Sequence, residues 1–301
     1  MQELSDQKVL FAFSADLEPA LNCKSGETVR IRTKDCFGNQ LQTPEDGIDA
    51  LDWDNVNPAT GPVFVEGAHP GDVLKVELLK IEVDQQASMC TGENEGTLGD
   101  IFHDGLHSTL KPVKDGVLTW GNGVTLDCDP MIGVIGVAPA DGQSINCGTP
   151  GHHGGNMDNT MVSQGATLYF PIAAEGALFG CGDMHAVMGD GEIGVCGAEI
   201  AGYVTARLTV LSDRTLPNPV LENDEAFTTI ASAPTFDEAA DTAVHDMVAL
   251  LTQRTSGIST PDLVMLLSLC ADVQVCQIVD PLRTARFVVP KKVLAAYGFD
   301  W

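Results

Sequence analysis

Before about residue 230, glycine and proline interrupt every apolar run within a few residues, so a long helix has no room to form over most of the chain. Short strands remain. In DVLKVELLKIEV, Asp72 to Val83, Leu74, Val76 and Leu78 alternate with polar residues, and the pattern then slips one place to Leu79, Ile81 and Val83. That is a strand with a bulge at the Leu78-Leu79 doublet. Val9 to Phe13, Thr28 to Arg32, Met131 to Ala138, Thr167 to Ile172 and the long run Ile193 to Leu211 read as further strands. After Pro234 the character changes. Thr235 and Glu238 form a capping-box pattern, followed by Phe236, Ala240, Val244, Met247, Val248 and Leu251 at helical spacing. A second helix is expected from Thr260, with Pro261 in its first turn, before β character returns over Gln274 to Pro290. The expected class is mainly β, a β-rich α+β fold with a β-sandwich or barrel-like core and a few helices near the C-terminus. With 301 residues, 44% of them hydrophobic, the chain can bury a sizeable core as one domain over 1–301 or as two closely packed β subdomains.

Charge narrows the partners. The 42 acidic residues against 16 basic ones give a net charge of -26, which repels nucleic acid and anionic membrane surfaces. The first residues lack a basic start with a long apolar run, and no stretch approaches the ~20 apolar residues of a membrane span. A soluble, cytoplasmic protein is the expectation. Nine cysteines, an odd and scattered count, suit reduced and buried thiols better than a disulfide framework.

One block concentrates chemistry: GHHGGNMDNT (Gly151 to Thr160), GCGDMHAVMGDGE (Gly180 to Glu192) and Glu199. Asp183 and His185 are two apart, so an extended backbone projects both from one face towards a shared ion. Carboxylate plus imidazole is common zinc chemistry, and further carboxylates admit calcium. Asp158 follows a loop of histidines and glycines, with one of His152 and His153 expected to face the site. Glu199 lies on the face of its strand opposite Ile200, Val204 and Leu208, either solvated or lining a polar cavity. Asp190 and Glu192 repeat the two-residue spacing within GDGE, with Asp190 read as a solvated turn acid. His103 and His107 read as structural or exposed. Cys147 and Cys181, each with a histidine nearby in sequence, are the raw material of a competing nucleophilic thiol.

These segments, with NPATGPVFVEGAHPGDVLKVELLKIEV (Asn57 to Val83), PMIGVIGVAPADG (Pro130 to Gly142), Gly165 to Glu192 and LLSLCADVQVCQIVDP (Leu266 to Pro281), resemble the acetamidase/formamidase family of amide hydrolases. The blocks keep the family's order and span most of the chain. The resemblance implies hydrolysis of short aliphatic amides such as formamide and acetamide, and assembly into homodimers or higher homo-oligomers. It implies a divalent metal ion, zinc first and calcium as the alternative, on Asp158, Asp183, His185 and Glu199. It leaves Glu192 or Glu66, the latter in the VEGA-x-PGD segment, as acid/base. Met188 departs from it, standing where the pattern HAxQGDGE has glutamine. Two alternatives stay open: hydrolysis of another linear or cyclic amide (a lactam), and a non-catalytic protein stapled by a structural calcium or zinc.

Overall fold

The computed structural model describes residues 1–299 and 301. Among them, most strands belong to two large sheets. The first runs, in spatial order, Gln2–Leu4, Glu27–Thr33, Gly202–Leu211, Val73–Val83, Thr167–Pro171, Val220–Glu222, Ala226–Ala233, Arg283–Pro290 and Asp272–Gln277. The second runs Val124–Asp127, Val117–Gly121, Leu106–Lys114, Gln86–Gly92, Glu199–Ile200, Phe179–His185, Met131–Gly136 and Gly154–Asn156. Strand Ala59–Glu66 also pairs with Phe179–His185, so that segment is bonded on both sides and all seven of its residues are buried.

The two sheets share one core. Val76, Leu168 and Val204 from the first pack in the same cluster as Ile132, Ile135, Phe179 and Met184 from the second. Each such side chain contributes roughly 1.5–3 kcal/mol relative to exposure. Neither sheet closes on itself, which selects the sandwich over the barrel.

Most strand expectations are met within a residue or two. Val73–Val83 carries the bulge: Lys80 pairs with Thr205 and Leu78 with Ala206, leaving Leu79 as the extra residue, 41% exposed, while Leu78 is buried. The long run Ile193 to Leu211 is an exception. It is strand only over Glu199–Ile200 and Gly202–Leu211, and residues 193–198 form a loop. The reason is contact with a neighbour: a Cβ on Gly197 would lie 2.4 Å from His185 Nδ1, so the loop passes directly over the imidazole.

Helix Phe236–Arg254 starts with the expected capping box, the Glu238 N–H donating to Thr235 Oγ1 at 3.3 Å and the Thr235 N–H donating to the Glu238 carboxylate at 3.1 Å. Its buried line is Ala239, Ala243, Met247 and Leu251: the last two are as expected, while Ala239 and Ala243 take the places expected of Ala240 and Val244, because the two alanines let the helix axis approach Phe227 and Phe287 of the sheet. Helix Thr260–Cys270 starts where expected, capped by Ser259, and a short helix, Lys291–Ala295, was not anticipated. No helix among the described residues is long and apolar enough to cross a membrane.

Candidate metal centre

Strand Phe179–His185 carries the site. Its last residue pairs directly with Glu199 across the sheet, and His185 Nε2 stands 3.1 Å from Glu199 Oε1. Asp183 Oδ1 is 3.6 Å from the same nitrogen. The two side chains converge, though not through a simple extended repeat: Asp183 has φ 53°, a left-handed backbone within the strand.

Asp158 arrives from the other side. Strand Gly154–Asn156 pairs with Met131–Gly136, the chain turns with Asp158 at φ 41°, and Asp158 Oδ1 ends 3.8 Å from His185 Nε2. Glu192, at φ 48°, sits in a tight turn and places Oε1 at 3.8 Å from that nitrogen. The turn is held by backbone bonds from Gly191 N–H to Cys276 and from Ile278 N–H to Gly191. Arg286, buried and bonded to Asp190 at 2.5 Å, to Asn159 at 2.7 Å and to Thr160 at 3.0 Å, ties the 158–160 and 189–192 segments together. Asp190 is exposed, as expected of a turn acid, and at the same time clamps the two loops together through Arg286.

Asp158, Asp183, His185, Glu192 and Glu199 have side chains no more than 4% exposed. Asp280 joins them from the C-terminal strand pair, accepting a hydrogen bond from Asn156 Nδ2 at 3.0 Å. Burial and mutual repulsion raise the affinity of Asp158, Glu192, Glu199 and Asp280 for protons. Burial, then Asp280 and Asp183, push Asp158 well above the usual carboxylate range. Burial, then Asp158, push Glu192 up, and burial, then Glu192, do the same to Asp280. Burial also raises Glu199, against the opposing effect of His185. Burial alone would lower the imidazole of His185, but Glu199 and Asp183 hold it well above its usual value.

The polar atoms of the cluster are short of partners. Both oxygens of Asp158, Oδ1 of Asp183, Nε2 of His185 and Oε2 of Glu199 are buried without a hydrogen bond among the described residues. Each such group costs roughly 1–3 kcal/mol, more if charged. Two groups of ligand atoms, Asp158–His185–Glu192 and Asp183–His185–Glu199, lie within 4.8 Å of one another. Buried carboxylates and one imidazole, converging with unused lone pairs, match the donor set of a divalent cation. Gly133 leaves the space they need: a Cβ there would fall 2.3 Å from Asp158 Oδ1 and 2.7 Å from Asp183 Oδ2.

The remaining expected residues lie outside the cluster. Glu66 is exposed at the end of Ala59–Glu66, and since Ala59 is the residue paired with Gly182, Glu66 lies roughly 20 Å further along the strand. It is not brought to the cluster, because its strand runs away from the end that carries Asp183 and His185. Of the histidine pair, His152 is exposed and His153 buried, edge-on to Phe13. Both ring nitrogens of His153 lack partners among the described residues, and burial pushes its pKa down to about 4. His103 and His107 are exposed. Cys147 and Cys181 are fully buried, and burial lifts each thiol to about 12, which leaves them without thiolate at neutral pH.

Asp280 and Arg286 were not singled out from sequence. The only signal for Asp280 was its place in the segment ending Asp280-Pro281, where strand-like alternation masked it.

A cavity of about 410 Å³ reaches the cluster from the surface, lined by Trp120, Leu126, Met188, Glu192 and Cys196 among others. Glu192 is the one cluster acid on its wall. A larger cavity, about 630 Å³, lies by Arg214, Asp246 and Trp301 and includes no cluster residue.

The chain matches the acetamidase/formamidase family over residues 2–143 and 142–295. It belongs to that family. A solved structure described as a predicted acetamidase/formamidase from Thermoanaerobacter tengcongensis is 49% identical, with TM-score 0.96 over 100% of this chain and 99% of that one. An acetamidase structure from Bacillus halodurans is 43% identical, with TM-score 0.95 over 98% of this chain and 99% of that one. The formamidase of Methylophilus methylotrophus is 27% identical over 269 residues, 69% of this chain and 66% of that protein. The chain thus spans just under two thirds of the length of the curated relatives it matches.

Proposed function

We propose that this chain hydrolyses short aliphatic amides, formamide and acetamide being the first candidates, to ammonia and the carboxylate, using a divalent cation at the buried cluster. The observation that carries this reading is the convergence of Asp158, Asp183, His185 and Glu199 with unpartnered polar atoms, beside a cavity that Glu192 lines. Membership of a family with relatives named formamidase and acetamidase supports the substrate class.

Asp158, Asp183, His185 and Glu199 would hold the cation, zinc first and calcium second. When bound, it supplies Lewis acidity towards a carbonyl oxygen and lowers the pKa of a water. Glu192 works from the cavity wall: its carboxylate takes the proton of the attacking water and returns it to the departing nitrogen. A carboxyl raised by burial suits that exchange, since its proton affinity moves towards the working pH. Arg286 and Asp190 fix the loop on which Glu192 rides. The largely apolar lining of the cavity, including Trp120, Leu126 and Met188, favours a small uncharged amide over a charged one.

The reading extends to a homo-oligomer, for which exposed Trp120, Val124, Leu126 and Ile193 offer an apolar face, and to a cytoplasmic setting, which suits nine free cysteines. Light scattering of the purified protein checks the first.

The test is ammonia release from formamide and acetamide, with metal content followed by elemental analysis. Chelation should abolish activity, zinc or calcium should restore it, and Asp183→Asn should lower it at least ~100-fold with loss of metal. Full activity in protein shown to be metal-free would overturn the metal's role. No ammonia from metal-replete protein would overturn the substrate class.

A further inference from the structure

Beside Glu199 lies a second cluster, built from sulfur. Cys36 stands in the turn after strand Glu27–Thr33, Cys90 in strand Gln86–Gly92, and Cys196 in the loop that leads into Glu199. Cys90 Sγ and Cys196 Sγ are 3.2 Å apart. The sulfurs of Cys36 and Cys196 and a carboxylate oxygen of Glu199 all lie within 4.8 Å of one another. Three separate segments, far apart in sequence, thus bring Cys36, Cys196 and Glu199 together and set Cys90 directly beside Cys196.

Buried cysteines commonly serve as small apolar side chains, and here the sulfurs do border an apolar group of Phe37, Leu41, Ile48 and Leu51. Packing gives no reason for Glu199, whose side chain is 3% exposed and whose Oε2 has no hydrogen-bond partner among the described residues. Its other oxygen, Oε1, is the one directed at His185. A carboxylate with one oxygen engaged and one free, placed between an imidazole and a set of thiols, is suited to serve both.

We propose that Cys36, Cys90, Cys196 and the free oxygen of Glu199 form a second metal site, for a thiophilic divalent cation such as zinc or cadmium, sharing Glu199 with the carboxylate–imidazole centre. Sulfur donors on a tetrahedral zinc stand about 3.8 Å apart when each bond is about 2.3 Å, close to the 3.2 Å between Cys90 and Cys196. Cys36, Cys196 and Glu199 already lie within reach of one ion, and Cys90 joins them by a side-chain rotation towards Cys36 and Glu199. Sulfur ligands select soft and borderline ions, whereas the neighbouring oxygen-rich donors accept harder ones. Binding deprotonates the thiols, and the released protons leave by the cavity that Cys196 lines. The site does not depend on amide hydrolysis, although a cation drawing on Glu199 would change the donor set left beside it.

The test uses the full chain, reduced and freed of metal by chelation, titrated with cadmium alone and followed by the ultraviolet cadmium–thiolate charge-transfer band. A saturable band is expected. Cys196→Ser should abolish it, Cys36→Ser and Cys90→Ser should each lower it in proportion to the thiolate removed, and Cys23→Ser should leave it intact. Circular dichroism of each variant identifies loss of fold. In the wild-type protein, which needs no substitution, cadmium should protect Cys196 from alkylation as read by mass spectrometry. Asp158→Asn, which removes a donor of the other centre, should keep the band whether or not the protein cleaves amides. A missing band, a band that survives Cys196→Ser in folded protein, or unchanged alkylation of Cys196 would overturn the proposal.

Discussion

Gly133 shows how closely the centre is fitted, since a single methyl there would enter the space between Asp158 and Asp183. Gly133→Ala should therefore displace both carboxylates and lower amide turnover about 100-fold, the scale of a 1 Å misplacement, with circular dichroism unchanged. Wild-type turnover in that variant would show that the acids are not held by this contact. His153 makes a different prediction. Its imidazole is neutral when folded, with a pKa of about 4 set by burial and then by His152, while the unfolded chain takes up a proton near 6.5. Below pH 6.5 the unfolded state binds more protons, so His153 favours folding less as pH falls towards 4. The loss reaches about 2 kcal/mol by pH 5. Urea unfolding at pH 7 and pH 5 checks it: His153→Gln should show a smaller drop between the two than the wild type, and an equal drop would refute the assignment. The convergence was readable at this scale wherever the side chains lie close in sequence, as those of Asp183, His185, Glu192 and Glu199 do. Asp280 and Arg286 were hidden because they meet the cluster through contacts about a hundred residues away, such as Asn156 with Asp280 and Asp190 with Arg286, which no local pattern encodes. Glu66 was carried to the site by resemblance alone, and the strand register removes it.

At the level of the element, local rules worked where one element answers to its own sequence. The bulge at Leu79 follows from a slipped alternation, and the capping box of helix Phe236–Arg254 from the pair Thr235 and Glu238. Thr235→Ala removes the side-chain acceptor for the Glu238 N–H and should destabilise the protein by about 1 kcal/mol in denaturant unfolding. A change within error would mean that packing of Ala243 and Met247 holds the helix start without its cap. Local rules failed over Ile193 to Ala198, where strand-like residues form a loop because His185 occupies the space beneath Gly197. They also misplaced the first half of the helix's buried stripe by one position, since apolarity alone does not tell which small residues a sheet will press against.

The whole molecule carries a net charge of -26, and much of that charge is exposed on the surface. At low ionic strength the self-repulsion reaches across the sandwich, with a Debye length of about 30 Å at 0.01 M that shrinks to about 3 Å at 1 M. Added salt should therefore raise the thermal midpoint, by about 3 °C for each kcal/mol of repulsion relieved. Calorimetry across a sodium chloride series checks this, and a midpoint that stays level or falls would show that surface ion pairs such as Arg32–Asp84 outweigh the repulsion. Mean fold class was legible from the spacing of glycine and proline. The strand order within the sheets was not, because it is set by pairs such as Val204 with Ile81 that lie over a hundred residues apart. The left-handed backbone of Asp158, Asp183 and Glu192 bears on the molecule as a whole. Selection for stability alone would have placed glycine, which has no Cβ to strain, at all three positions, at a gain of up to roughly 1–3 kcal/mol each. Keeping acids there means that the chain has been held below its attainable stability for as long as the cluster has been useful, and that the extensive double-sheet core is the reserve that makes such a compromise tolerable.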